Sequence, residues 1–222
     1  MVNLIIKDIL IQKKTIIYAL LYTAFMALSM SSVFPNGFGL YVMSPMVINY
    51  LFITFAVQYD DKNKSEVIIN SLPLKRHDIV MSKYIATFVY GTLGICCSIL
   101  VGFIGNAVRL PMFHGSISLL NIILVIMSIC IFSSIYYPVY FKFGVAKMKI
   151  FTVVIFMIFF FVPMNAMSYV IKNPNNFFVQ KFNYFINNTS ALTQNSIALT
   201  IGLVIFMISL MISIHIYNNK EF

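Results

Sequence analysis

The sequence predicts an all-α integral membrane protein with six transmembrane helices and both termini in the cytoplasm. Three observations predict it. First, 60% of the 222 residues are hydrophobic and only 9% are charged. A soluble protein carries about 25% charged residues, so this chain cannot cover a water-facing surface, and a soluble enzyme, a disordered chain and collagen are excluded. Second, residues 15–59, 84–108, 110–141, 150–171 and 182–219 contain no Asp, Glu, Lys or Arg. A helix needs about 20 apolar residues to cross the hydrocarbon, and the first of these stretches is long enough for two. Third, the basic residues are unevenly placed. With the N-terminus inside, only Arg109, Lys172 and Lys181 of the 15 Lys and Arg fall outside, and all six acids fall inside. Basic residues concentrate on the cytoplasmic side of membrane proteins. The net charge of +9 is therefore a topology signal and calls for no nucleic acid.

The elements follow in order. Residues 1–14 read as an amphipathic helix lying in the interface. At about 100° per residue, Val2, Ile5, Ile6 and Ile9 share one side, with Asn3, Lys7 and Lys14 opposite. Lys7, Lys13 and Lys14 would lie near anionic headgroups; the plainer alternative is a basic flank of the first span. Spans one and two cover 16–34 and 40–58, divided by the turn-rich run Ser31 to Gly39. Ala27-Leu28-Ser29 could pass for a signal-peptidase site, but the apolar stretch before it is too long for a signal peptide and five more spans follow, so a retained span is expected.

The loop 59–83 is rich in both signs of charge. Within it, 64–72 can form about two helical turns that Pro73 ends. Val67, Ile68 and Leu72 make an apolar edge, while Glu66 and Asn70 face water or a partner. Such a helix suits docking to a soluble protein; the alternative is a solvated connector. After Pro73 a second helical start carries Asp78 in its early turns and runs on into span three. Span three, 84–108, carries Gly91, Gly94, Ser98, Gly102 and Gly105 within roughly 80° of one another on a helix. Small residues let helix backbones approach closely in lipid, so this stripe is read as a packing face, within the subunit or across a dimer. Spans four, five and six are placed at 118–140, 150–170 and 196–217. Pro45, Pro138 and Pro163 fall in or at the edge of spans and Asn49, Asn106, Asn121 and Asn165 near them; packing is the expected role of the asparagines. In the last external loop, 171–195, Phe178, Phe182 and Phe185 recur at helical spacing, as an aromatic belt or a short re-entrant helix.

Much chemistry is absent. There is no GxxxxGK[ST] phosphate loop, no HExxH and no GxSxG. The histidines have no ligand spacing. Cys96, Cys97 and Cys130 lie in apolar runs and read as buried small hydrophobes, so no catalytic residue, metal or cofactor is expected. No charged residue lies in a span core, which weighs against an ion-coupled carrier.

The charged loop resembles the first cytoplasmic loop of ABC-2 type transporter permeases, the membrane halves of bacterial ATP-binding-cassette exporters. The matching residues are Asp60, Asp61, Lys62, Asn63, Ser65, Glu66, Asn70, Ser71, Leu72, Pro73, Ile79, Val80, Lys83 and Tyr84. Six spans, an interfacial first helix, cytoplasmic termini and a longer last external loop extend the resemblance over the whole chain. It implies a type V exporter-like fold and an ATPase subunit clasped at Ser65, Glu66, Val67, Ile68, Asn70, Ser71, Leu72 and Pro73, with 65–72 as the coupling helix. ATP would be bound by that separate subunit. It further implies a second permease, as a homo- or heterodimer, and cargo that is an amphipathic peptide or lipid. Within the family the chain looks like the small permeases of Gram-positive peptide exporters. The readings from other classes are a non-transporting membrane anchor that uses the same loop, and a secondary carrier.

Overall fold

A computed structural model describes residues 2–30, 37–63, 75–108 and 117–220, and among these every element is helical. Helix α1, Val2–Ile11, ends at Gln12, and α2 follows at once as Lys13–Met30. One π-helical turn, Gly39–Met43, leads into α3, Ser44–Lys62. Pro45 stands in the first turn of α3, where its missing N–H is tolerated. The turn before it is widened, and Gly39 O accepts from both the backbone N–H and the Oγ of Ser44. Pro45 thus starts a helix here and kinks none. Helix α4 is Arg76–Ala107. Helix α5 is Leu119–Lys172, capped by Ser118 Oγ and interrupted at Gly144. Helix α6, Phe177–Asn188, occupies the last loop, and α7, Ala191–Asn218, starts from a Ser190 cap.

Among the described residues, four helices are long and apolar enough to cross a membrane: Gly39–Lys62, Arg76–Ala107, Leu119–Val145 and Leu192–Asn218. The spans expected at 16–34 and 150–170 fall on α2 and on the part of α5 after Gly144, which are not among these four. One boundary differs from expectation: α3 runs on through Asp60 to Lys62, residues assigned to the loop. The helical start expected after Pro73 coincides with α4, which begins at Arg76 with Asp78 in its first turn. The physical reason is that Asp60 and Lys83 find each other inside the bundle and need no water.

The second difference is at the junction of spans four and five. The expected nine-residue loop, 141–149, is replaced by one residue. Gly144 has φ +70 and ψ 177, a region open essentially to glycine alone. The chain reverses there. Tyr50 packs its ring against Phe132 at 5.4 Å and Phe156 at 4.9 Å, two residues equally far in sequence from Gly144, and Phe143 stacks on Phe151. The two arms of α5 therefore lie side by side as a hairpin. Nothing surrounds Gly144 within 4 Å of an added Cβ, so Gly144→Ala is a pure backbone test. It is expected to lower stability by about 1–3 kcal/mol, read as a drop in the melting temperature of the purified protein; an unchanged melting temperature would refute the one-residue reversal.

Sequence packing logic carries over to the core. Tyr84, Tyr90, Tyr136, Tyr137 and Phe52 are the largest fully buried rings. Tyr84 contacts Tyr137 and Phe206, so α4, α5 and α7 meet around it. Many large apolar residues are exposed, among them Ile17, Tyr18, Leu21 and Phe25 on α2, and Ile201, Val204, Ile208 and Met211 on α7. Such faces suit lipid and not water.

Candidate functional site: a buried charge ring beneath the charged loop

Aspartate in α1 interrupts its apolar side. Asp8 and Gln12 lie one turn apart, on the face that Ile5 and Ile9 present to the bundle. Only 4% of Asp8 and 6% of Asp60 and Lys83 is exposed. Lys83, from the second turn of α4, donates to Asp8 Oδ2 at 2.8 Å and to Asp60 Oδ2. Lys7 Nζ lies 2.9 Å from Asp60 Oδ1 and 3.2 Å from Asp8 Oδ1. Each lysine thus touches both aspartates and each aspartate both lysines. The four alternate around a closed ring with no net formal charge.

That alternation is what permits burial. An isolated charge out of water costs several kcal/mol even after relaxation, and only close, well-hydrogen-bonded partners repay it. The ring joins three chain segments: α1, the last turn of α3 and the start of α4. It closes the base of the loop that leaves α3 at Lys62 and enters α4 at Arg76. Beside it, Gln12 Nε2 donates to Phe52 O at 3.1 Å and Tyr90 OH at 3.4 Å, pinning the α1–α2 junction to α3 and α4.

The start of α4 is tied to the rest of the bundle as well. Tyr137 OH of α5 donates to Lys83 O at 3.1 Å. Tyr84 OH lies 2.7 Å from both Ser209 Oγ and Ser213 Oγ of α7, and Ser209 Oγ donates to Ser134 O of α5. Arg76 Nη1 donates to Asn218 O at 2.8 Å and Lys220 O at 3.0 Å. It thereby satisfies carbonyls at the end of α7, where a cation also meets the negative end of the helix dipole. The first two turns of α4 contact, through named polar groups, every other long helical segment except α2.

The residues expected from sequence distribute as follows. Ser65, Glu66, Val67, Ile68, Asn70, Ser71, Leu72 and Pro73 lie outside the described residues. Lys13 and Lys14 are exposed at the start of α2. Lys7 was expected among headgroups, but its ammonium turns into the ring and its side chain is 30% exposed. Gly91, Gly94, Ser98, Gly102 and Gly105 are all buried. A Cβ on Gly94 would stand 3.1 Å from Pro45 Cα, one on Gly102 would meet Tyr41 OH, and one on Gly91 would meet Ile129 Cδ1. The stripe therefore packs within the subunit. Of the last-loop phenylalanines, Phe178 stands on α6 and is exposed. Sequence reasoning missed the ring. Its one legible signal was Asp8 on the apolar side of α1.

A second feature lies between α3 and the α5 hairpin. An apolar groove of about 450 Å³ runs between Phe38, Val42 and Met46 and the two α5 arms, represented by Leu124, Met127, Ile155 and Val162. Met46 and Ser128 also wall a cavity of about 10 Å³ that contains Asn49, buried, with no hydrogen-bond partner for Oδ1. About 10–15 Å³ admits one water.

No curated protein and no solved structure matches the chain. The family model described as ABC-2 family transporter protein matches residues 3–218. That span takes in every helix described above, including the two ends of the charged loop and the ring that joins them. The chain belongs to the ABC-2 transporter family, whose members are membrane components and not ATPases.

Proposed function

We propose that this chain is the permease subunit of an ATP-binding-cassette exporter in the cytoplasmic membrane, with separate ATPase subunits docked at 65–72. The observation that carries the reading is the closed charge ring at the base of that loop, in a chain of this family. Six spans are assigned, with α2 and residues 145–172 as the two beyond the four apolar helices. Both termini face the cytoplasm, because all four ring residues, Arg76 and the basic Gly144 turn belong to segments on that side.

The mechanism is mechanical. ATP-driven closure of the ATPase pair pushes on the loop helix. The ring ties the two ends of the loop and α1 together, so α1, α3 and α4 move as one block. Arg76 and Tyr84 pass the displacement to α7, and Tyr137 passes it to α5. The groove between α3 and the hairpin is the candidate path, and its apolar lining suits an amphipathic peptide or lipid better than an ion or sugar. Two copies, or this chain with a sibling permease, form the complete path. The resemblance to small Gram-positive permeases reaches as far as that of the staphylococcal phenol-soluble modulin exporter.

The test is co-purification with a co-expressed ABC ATPase subunit from the same organism, followed by hydrolysis in liposomes. Glu66→Lys with Leu72→Asp is expected to lower ATPase recovery at least tenfold and to abolish cargo-stimulated hydrolysis. Unchanged recovery would refute docking at 65–72. Docking without any cargo response would favour a membrane anchor, and cargo movement that follows a proton gradient without ATP would favour a secondary carrier.

A further inference from the structure

The tip of the α5 hairpin carries positive charge that no ion pair balances among the described residues. From Ile79 to Lys220 the sequence contains no Asp or Glu. Lys142 and Lys147 flank Gly144, and neither takes part in any ion pair among the described residues. Both ammoniums are drawn to one ring: Lys142 Nζ lies 5.4 Å and Lys147 Nζ 5.9 Å from the centroid of Phe143. Phe143 is itself held by stacking on Phe151 at 5.4 Å. The reversal at Gly144 is what brings side chains from the two arms to the same ring. The lysines remain exposed, and Phe143 and Phe151 are also exposed.

An apolar strip begins where this cluster ends. Ile150 is 74% exposed, and Val154, Met157, Ile158 and Phe161 follow it along the second arm, each about half exposed. These recur at spacings of three and four and so form one stripe of the helix. Lys147 stands one turn before Ile150 and Phe151 on the same side. An exposed apolar stripe topped by an aromatic ring and two ammoniums that form no ion pair among the described residues matches the acyl chains and anionic headgroup of a phospholipid.

We infer that the hairpin tip is a binding site for an anionic glycerophospholipid, with its headgroup phosphate between Lys142 and Lys147 and its acyl chains along Ile150, Val154 and Met157. The continuity of charge and apolar stripe favours a lipid over an acidic protein surface, which would have no use for the stripe. Cation–π contact with Phe143 limits where the ammoniums go, so they are partly in place before the phosphate arrives. The site requires only that the chain span a membrane and does not rest on transport.

The experiment is native mass spectrometry of the full chain, released from detergent with equal amounts of phosphatidylglycerol and phosphatidylcholine of the same acyl chains. A basic residue near an anionic headgroup contributes about fivefold. The wild-type chain is therefore expected to retain phosphatidylglycerol over phosphatidylcholine at least tenfold. Lys142→Gln with Lys147→Gln is expected to bring the two lipids to parity with an unchanged melting temperature, and Lys142→Arg with Lys147→Arg to keep the preference. Equal retention by the wild type, or an undiminished preference in the double glutamine variant, would overturn the site. Excess glycerol 3-phosphate is expected to leave the lipid bound; displacement by it would show a site for free phosphate and overturn the lipid assignment.

Discussion

Lys83→Met is expected to destabilise the protein by about 3–5 kcal/mol, the range for removing one partner of a buried ion pair. The substitution leaves Asp8 and Asp60 facing each other with Lys7 alone between them, so the ring acquires an uncompensated negative charge. Methionine is close in length to lysine and fills the same space, which removes packing loss as the explanation. Adding Asp8→Asn restores the balance, because Asp60 then pairs with Lys7 at 2.9 Å, and is expected to recover more than half of the loss. Thermal unfolding of the purified protein in detergent, followed by size-exclusion profile, measures both. If Lys83→Met melts with the wild type, or if the double variant melts no higher than the single one, the ring is not what holds these three segments together. The double variant also separates stability from coupling. It keeps the Lys7–Asp60 pair between α1 and α3 but lacks the ring's link to α4, and the mechanical reading expects weaker cargo stimulation of the partner ATPase.

The second large effect is expected at Gly94. A Cβ there stands 3.1 Å from Pro45 Cα and 3.2 Å from Pro45 O. These are backbone atoms at the rigid start of α3, and they cannot rotate away. Gly94→Leu forces α3 and α4 apart and is expected to cost at least about 1–3 kcal/mol, the usual penalty of overpacking, with loss of the monodisperse peak. Gly91→Ala is the internal comparison. Its Cβ meets only Ile129 Cδ1, the far end of a side chain that can turn, so its effect should be clearly smaller. A Gly94→Leu protein that expresses and melts like the wild type would refute the close α3–α4 contact.

Much of this was legible without coordinates, and the reason differs from case to case. The small-residue stripe of α4 was readable because helical period alone places Gly91, Gly94, Ser98, Gly102 and Gly105 on one face. Which helix met that face was not readable, because the same stripe serves an internal or an external neighbour. The hairpin of α5 was anticipated as two spans joined by a basic segment. Its reduction to Gly144 depends on one backbone conformation that composition does not reveal. The end of α3 was placed short of Asp60 because charge was taken as a sign of water. Asp60 and Lys83 are charged and buried, since each is the other's solvent.

The sequence by itself determined the membrane as the solvent, the helical class and the place of the charge-rich loop. Those properties are sums over many residues: too few charges for water, and apolar runs long enough for hydrocarbon. Only the tertiary structure decided what α1 does. Read alone, it is an amphipathic helix with lysines for headgroups; in the fold, Lys7 and Asp8 leave the interface to complete a neutral ring with Asp60 and Lys83, 53 and 75 positions away. Coulomb attraction falls with distance in space, and sequence separation carries no information about it.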